Sequence, residues 1–294
     1  MGKDLRHFGE DLSDSQDNWT MIIGPRSGWL DVDLEELWHY RDLIILFVRR
    51  DFVAIYKQTI LGPAWFLLQP LFSTIVFTIV FGKIANIPTD GLPQPLFYMS
   101  GIVVWNYFAS CLSGTSNTFV DNASIFGKVY FPRLTVPVSV VIANLMTFFI
   151  QFSIFLAFLL FFYLKGATVK PNLLILLSPF LILQMGMLGL GFGIIVSSLT
   201  TKYRDLKFAV TFGIQLWMYA TPIVYPMSQI PERWQWLFAL NPMSVIVEIF
   251  RHAFLGAGSV NPLYLVISLG VTIAVLGVGI VLFRRVEKTF MDTV

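Results

Sequence analysis

Three side chains that could do acid–base chemistry lie close together near the C-terminal end of the chain, at Glu248, Arg251 and His252. A carboxylate and an imidazole at the edge of an apolar segment could serve a transferase as general acid and base. Glu248 and Arg251 are also three residues apart, so on a helix they share one face and could form an internal ion pair. The sequence leaves both interpretations open.

Motifs for other chemistry are absent from the sequence. A GxxxxGK[ST] phosphate-binding loop does not occur, because Gly82-Lys83 and Gly127-Lys128 lack both the leading Gly and the Ser/Thr. There is no HExxH motif, and the single Cys111 supports neither a disulfide framework nor a cysteine-based metal site. We therefore expect no metal or cofactor in this chain.

Six long stretches of the chain contain no Asp, Glu, Lys or Arg, and each could cross a bilayer, which takes roughly 20 apolar residues. Only 13% of residues are charged, against about 25% in soluble domains. The net charge of +2 argues against a nucleic-acid partner. We predict an all-α integral membrane protein with six transmembrane helices, at about residues 60–82, 95–120, 134–164, 171–199, 208–226 and 261–283.

Charge also predicts orientation and domain organisation. Most of the 20 Lys and Arg fall on the side that holds both termini, so the N- and C-termini are expected in the cytoplasm. We expect a polar N-terminal tail at residues 1–30, a cytoplasmic amphipathic interface helix at 31–56 and a six-helix transmembrane domain at 57–294. The basic residues that could reach lipid phosphates from the interface helix or its end are Arg41, Arg49, Arg50 and Lys57.

The segment between Arg233 and Glu248 is uncharged and apolar but too short to span a membrane. Segments of this length are typical of re-entrant or interfacial structure. Asn241-Pro242 would break it, because a proline disfavours helix at the residue before it. We therefore predict a pair of re-entrant helices between the fifth and sixth spans.

Several motifs, taken in order along the chain, carry a family resemblance. Residues 49–70 read RRDFVAIYKQTILGPAWFLLQP, residues 121–133 read DNASIFGKVYFPR, and residues 202–205 read KYRD. A series of Pro-Ile-x-Tyr, Ile-Pro, Asn-Pro-Met and Phe-Arg follows between Pro222 and Arg251, and the tail at 283–292 reads FRRVEKTFMD. From about Leu34 to its C-terminus, the chain resembles the permeases of type 2 ABC exporters, especially those that export polysaccharides.

The resemblance implies the membrane subunit of a transporter that exports a lipid-linked polysaccharide of the O-antigen type across the bacterial inner membrane. It implies a homodimer joined by two copies of a separate ATP-binding cassette subunit, which binds ATP and Mg²⁺ in place of this chain. Membrane lipids are further expected partners. The alternatives are a teichoic acid, capsule or drug exporter of the same family, or a membrane-embedded transferase or scaffold of a glycan pathway.

The resemblance also assigns residues to three sites. The residues expected to couple to the ATPase subunit are Asp121, Asn122, Ile125, Phe126, Lys128, Tyr130 and Arg133. The aromatic residues expected along a channel, where sugar rings could stack, are Tyr98, Trp105, Tyr107, Phe108, Trp217, Tyr219 and Tyr225. The residues expected in an outer gate are Pro222, Pro231, Trp234, Trp236, Asn241, Pro242, Glu248 and Arg251.

Overall fold

The computed structural model describes residues 34–57, 62, 64–203, 205–258 and 260–290. All of them belong to one compact unit, Asp33–Val294. The predicted polar tail at residues 1–30 lies outside the described residues. So do Leu61 and Pro63 of the first motif, Arg204 of the third and Met291-Asp292 of the last.

Every regular element in the described residues is a helix, which confirms the all-α prediction. A π-helical segment, Thr78–Ile84, continues the helix Ala64–Phe77, and a 3₁₀ segment, Leu173–Leu177, leads into the helix Ser178–Thr200. The twelve α-helices of these residues are α1 (Leu34–His39), α2 (Arg41–Lys57), α3 (Ala64–Phe77), α4 (Gln94–Thr115), α5 (Thr118–Asp121), α6 (Ala123–Phe126), α7 (Thr135–Leu164), α8 (Ser178–Thr200), α9 (Leu206–Tyr219), α10 (Glu232–Ala239), α11 (Pro242–Leu255) and α12 (Pro262–Phe290).

Five helical runs of the described residues are long and apolar enough to cross a membrane: α3 with its π segment, α4, α7, α8 with its 3₁₀ segment, and α12. A sixth is reached only if α10 and α11 count as one broken span. The fifth predicted span, at 208–226, is shorter than expected, because α9 has 14 residues and ends at Tyr219. Thr221-Pro222 follows directly, and a helix rarely continues through the residue before a proline.

The break predicted between two short helices is confirmed, and α10 and α11 meet at an angle of 104°. Pro242 occupies the first turn of α11, where its fixed φ and missing N–H cost nothing. The Asn241 side chain caps the same helix by accepting a 3.1 Å hydrogen bond from the Met243 backbone N–H. Gly256 ends α11 in the left-handed conformation, at φ 76°.

The predicted interface helix is formed by α1 and α2, which meet at Tyr40. One face of α2 packs against α7, and Ile44, Phe47 and Val48 are buried there. Ile45 and Leu46 on the other face are exposed. This pattern is typical of a helix lying on a membrane surface, and that placement stays a prediction.

The centre of the bundle is α4. Within the window that fits a membrane, 78% of its residues are buried, against 11–39% in the other four span-length runs. Helices α3, α7, α8 and α11 all pack against it. Uncharged polar side chains join the spans, because Asn106 donates a 3.2 Å hydrogen bond to Gln151 and Gln184 donates a 2.8 Å bond to Ser268.

Candidate functional site

The most concentrated polar contacts inside the bundle surround Arg251 of α11, which is 1% exposed. Its guanidinium donates hydrogen bonds to the backbone carbonyls of Pro222 and Ile223, the second at 2.7 Å, and to the Ser100 hydroxyl at 3.3 Å. The guanidinium also lies 3.8 Å from the centre of the Phe97 ring, within range of a cation–π contact. One side chain therefore joins α11 to α4 and to the turn that follows α9.

Glu248 lies one helical turn earlier, with its carboxylate oxygen Oε1 3.8 Å from Arg251 Nη1. Both side chains are almost completely buried. The surrounding backbone is close as well: a Cβ at Gly101 would lie 2.9 Å from Arg251, and one at Gly258 would lie 2.6 Å from Glu248. Of the two interpretations of this pair, the geometry favours the internal ion pair, since burial leaves neither group open to a substrate.

Asn241, at the corner between α10 and α11, organises a second polar junction. Its side-chain oxygen accepts a 3.1 Å hydrogen bond from Trp217 Nε1 in addition to the capping bond from Met243. Its side-chain nitrogen donates to the Thr221 hydroxyl at 3.1 Å. Helices α10 and α11 together are called the bent pair below. Asn241 joins the corner of the bent pair to the end of α9, and Arg251 joins α11 to the turn that follows α9.

The other predicted gate residues lie on both sides of this junction. Pro222 is buried in the turn after α9, and Pro231 is exposed just before α10. Trp234 and Trp236 are exposed on α10, and the Arg233 guanidinium lies 5.9 Å from the Trp234 ring. An amphipathic helix with outward tryptophans is typical of the headgroup level of a membrane.

The four predicted channel aromatics of α4 are buried within the chain itself, and their place along a channel stays a prediction. Tyr98 and Phe108 are fully buried, and Trp105 and Tyr107 are nearly so. They pack on neighbouring helices, with Phe108 5.1 Å from the Trp217 ring as one example. The remaining three are in or after α9, where Trp217 and Tyr225 are half-buried and Tyr219 is exposed.

Helix α9 carries a stripe of uncharged polar side chains on its exposed surface. Thr211, Gln215 and Tyr219 are four residues apart, so they lie on one face, and all three are exposed. Gln215 is about 14 Å along the helix from Leu206, which is about half the thickness of a hydrocarbon layer of about 30 Å. An exposed amide at that depth costs about 1–3 kcal/mol unless it finds a polar partner. This face therefore suits a polar, uncharged ligand better than lipid.

The segment predicted to couple to a partner forms two short helices, α5 and α6, separated by Asn122. The Asn122 side chain does not cap α6, and instead donates a 3.0 Å hydrogen bond to the Thr118 carbonyl. Asp121, Lys128 and Tyr130 are exposed, and Ile125 is half-buried. These side chains are available to a partner.

Phe126 is not available, because it is 1% exposed in a cluster of rings that we call the phenylalanine cluster: Phe47, Phe119, Phe126, Phe131 and Phe283. Its ring offers almost no free surface to a partner, and its role in coupling to the ATPase subunit stays a prediction. The tightest contact of the cluster is the stacking of Phe119 on Phe283, with ring centres 4.4 Å apart. The cluster joins α2, the α5–α6 segment and the end of α12 into one packed unit.

Arg133 packs against the phenylalanine cluster and contacts α12. It is buried, donates a 2.7 Å hydrogen bond to the Glu287 backbone carbonyl, and lies 4.0 Å from the Glu287 carboxylate. Burial lowers the pKa of Arg133, and the negative charge of Glu287 opposes that shift. Arg133 therefore has a partner within the chain, on α12.

The basic residues of the interface helix are at the surface of the structure. The Arg41 guanidinium lies 5.6 Å from the Trp38 ring, and that of Arg50 lies 4.8 Å from the Phe47 ring. Arg50 also forms a 2.8 Å ion pair with Asp51. Arg49 is exposed, and the side chain of Lys57 lies outside the described part of the structure.

The arrangement described so far holds no group of His, Cys, Asp or Glu that could bind a metal ion, within the described residues. Residues 42–255 match the family model of the ABC-2 type transporter, which covers the bent pair, the α5–α6 segment and the first motif. The chain belongs to the ABC-2 type transporter family. It is a multi-pass membrane protein of that family.

Individual ABC-2 relatives align with most of the chain. It is 28% identical to the O-antigen export system permease protein RfbA of Klebsiella pneumoniae over 252 residues, which are 85% of this chain and 94% of the relative. It is 29% identical to the protein of the same name from Myxococcus xanthus, over 75% of this chain and 83% of the relative. The polysialic acid transport protein KpsM of Escherichia coli is 22% identical over 79% of this chain and 89% of the relative.

Several contacts of this ABC-2 chain were missed by reasoning from sequence. Ser100 and Phe97 bind Arg251 although about 150 residues separate them, and Glu287 binds Arg133 from the far end of the chain. The stripe on α9 was also missed, although its signal was present. Its three residues recur every fourth position within a charge-free run, the spacing of one helical face.

Proposed function

We propose that this ABC-2 chain is the membrane subunit of an exporter that carries a lipid-linked polysaccharide of the O-antigen type across the bacterial inner membrane. The observation that carries the proposal is the exposed stripe of Thr211, Gln215 and Tyr219 on α9. A glycan is polar but uncharged along most of its length, so its hydroxyls suit an amide and hydroxyl side chains. The names of the RfbA relatives support the same substrate class.

The same proposal has the chain act as a homodimer. In a single chain the polar side chains of the stripe would face lipid, which is energetically unfavourable. When two copies face each other, their two stripes line a path that excludes lipid. The face of α3 supports this arrangement, because it also exposes an uncharged polar side chain, Gln69. A path between two copies would be lined by α3 and α9, while α4 supports it from behind.

Energy for export comes, in this proposal, from two copies of a separate ATP-binding subunit. That subunit, and not this chain, binds ATP and Mg²⁺. It docks on the exposed Asp121, Lys128 and Tyr130 and on the half-buried Ile125, which lie in or just after the α5–α6 segment. Positive charge concentrated beside this segment and at both ends of the chain supports a cytoplasmic position for the termini.

Export of a capsule, a teichoic acid or a drug by the same architecture is the alternative. The stripe favours a glycan over an apolar drug, because an apolar ligand gains nothing from a Gln at the centre of the path. A transferase or scaffold role finds no support in the described residues near α11, because Glu248 and Arg251 are buried against each other.

The proposal is tested by replacing Gln215 with Leu in the intact transporter complex. The matched control is Phe212→Leu, an exposed residue on the same helix. Loss of one hydrogen bond of about 0.5–1.5 kcal/mol should reduce export of lipid-linked glycan by roughly 2- to 13-fold, whereas the control should not. Export is measured as glycan accumulated in inverted membrane vesicles that carry the complex and ATP.

A second measurement separates the assembly from the substrate. The tagged chain is purified from native membranes in mild detergent, and ATPase activity is assayed in the eluate. A separate ATPase that co-purifies at close to one copy per chain supports the proposed partner. If the chain purifies alone without ATPase activity, the exporter assignment fails. If the partner is present but Gln215→Leu exports glycan normally, the proposed path fails instead.

A further inference from the structure

A long apolar groove runs between α7 and α8. Its volume is about 900 Å³, within the range of pockets that enclose a small ligand. On α7 its lining runs from Val138 to Leu159, which corresponds to about 32 Å along the helix. That length matches the roughly 30 Å depth of a bilayer's hydrocarbon core.

The groove exists because of how the two helices pack. Helix α7 packs mainly against α4, and α8 packs mainly against α12 and α4, so α7 and α8 contact each other much less. Tyr107 of α4 lies at the floor of the groove beside Gly186 of α8, and both line it. A Cβ at Gly186 would lie 2.9 Å from the Tyr107 hydroxyl oxygen, so no larger side chain at that position could fill the space without displacing the tyrosine.

One end of the groove is polar and positively charged. Ser178 lines the groove at the start of α8, and its buried hydroxyl has no hydrogen-bond partner among the described residues. The connection from α7 to α8 reads KGATVKPN, so it carries Lys165 and Lys170 and no acidic residue. Both lysines are exposed, and Lys170 directly precedes Pro171, which lines the groove.

We propose that this groove is a binding site for a phospholipid with an anionic headgroup. One acyl chain lies between α7 and α8, the ester region meets Ser178, and the phosphate lies near Lys165 and Lys170. An apolar groove as long as the hydrocarbon layer, with two lysines beside the end that holds Ser178, complements an anionic lipid in both shape and charge. The inference requires only that the chain is inserted in a membrane and does not rest on the proposed substrate.

The headgroup decides the selectivity of the site. A lipid tail leaves one apolar environment for another when it enters the groove, so the hydrophobic effect contributes little and close packing retains the tail. A lysine near an anionic headgroup favours it by roughly fivefold. Two lysines should therefore favour an anionic over a zwitterionic phospholipid by about 25-fold.

The proposed site for the acyl chain is tested by filling the groove with larger side chains. Ile142 and Leu183 line the groove and are partly exposed, so tryptophan at both positions should occupy the space without entering the core. The matched control is Ile273→Trp with Val278→Trp, two exposed positions on α12. After purification and a detergent wash, lipid retained per chain is counted by native mass spectrometry, and helix content is checked by circular dichroism.

Wild-type and control proteins should retain phospholipid. The variant with tryptophan at both positions should retain at least about tenfold less phospholipid per chain. A tenfold change corresponds to about 1.4 kcal/mol of lost packing energy. Equal retention by that variant overturns the proposal. So does a retained lipid whose mass identifies an isoprenoid phosphate rather than a phospholipid. A change in oligomeric mass with lipid content unchanged also overturns it, because a second copy would then occupy the groove.

The headgroup site is tested separately with Lys165→Gln and Lys170→Gln together. Wild-type protein and this variant are exchanged into nanodiscs of phosphatidylglycerol and phosphatidylcholine in equal amounts, and the retained lipid is identified. Wild type should prefer phosphatidylglycerol by about 25-fold, and the variant should show almost no preference. A preference that the variant keeps in full would remove the lysines from the site.

Discussion

Replacing Arg251 with methionine should cost more stability than any other single change at the bent pair. Methionine keeps much of the volume but removes every donor that the guanidinium presents to the Pro222 and Ile223 carbonyls and to the Ser100 hydroxyl. It also removes the cation 3.8 Å from the Glu248 carboxylate. Removing one partner of a buried ion pair costs about 3–5 kcal/mol, largely because the other charge stays buried.

That cost should be visible in thermal unfolding. For a domain of this size, each kcal/mol lowers the Tm by about 2–4 °C, so Arg251→Met should lower it by roughly 6–20 °C. The matched control is Arg233→Met, because Arg233 is an exposed arginine of the same region. Its effect should stay within about 0.5 kcal/mol. Unfolding in detergent is followed by tryptophan fluorescence.

A double variant separates the ion pair from general packing. Arg251→Met combined with Glu248→Leu removes both charges, and such replacements are often close to neutral where single ones are not. The double variant should therefore unfold at a higher temperature than Arg251→Met alone. If Arg251→Met unfolds within about 1–2 °C of the Arg233→Met control, less than 1 kcal/mol is involved and the reasoning on Arg251 is refuted.

Three further predictions concern the partner-facing segment and the corner of the bent pair. Tyr130→Asp should abolish stimulation of the partner ATPase while the protein stays folded, because Tyr130 is exposed. ATPase activity measures the stimulation, and circular dichroism checks the fold. Full stimulation would exclude Tyr130 from docking. Phe126→Ala should lower stability by about 3–5 kcal/mol because it opens the phenylalanine cluster; thermal unfolding measures this, and an unchanged Tm would contradict it. Asn241→Ala removes a helix cap worth about 0.5–2 kcal/mol and the bond from Trp217; a lower Tm with shifted tryptophan fluorescence is expected, and neither change would be seen if the corner contributed nothing.

The length and charge pattern of the sequence predicted most of the fold, because lipid accepts little other than helices. The five span-length runs begin and end within a few residues of the predicted ones, apart from the early end of α4 at Thr115. The end of α9 was harder to predict, since the apolar run continues beyond Pro222. A run without charged residues predicts which segment can lie in lipid, but it does not predict the residue at which the helix ends.

The candidate site was less accessible from the sequence, for a different reason. The type of a residue does not show which other residues pack against it, so buried and exposed aromatic residues cannot be distinguished in the sequence. Trp105 and Phe126 are buried, whereas Tyr130 and Tyr219 are exposed, yet all four follow the same apolar pattern. Contacts between distant segments, such as Arg133 with Glu287, depend on how helices pack and leave no local signal.

The position of α4 has a consequence for how the protein is made. This helix is the least hydrophobic of the five span-length runs and also the most buried. During synthesis it leaves the ribosome before α7, α8 and α11, the helices that later surround it. In the translocon it therefore meets lipid with only α3 beside it, so its insertion should depend on that preceding helix. A substitution in α3 that weakens its contact with α4 should then lower the yield of inserted protein more than it lowers the stability of protein already assembled.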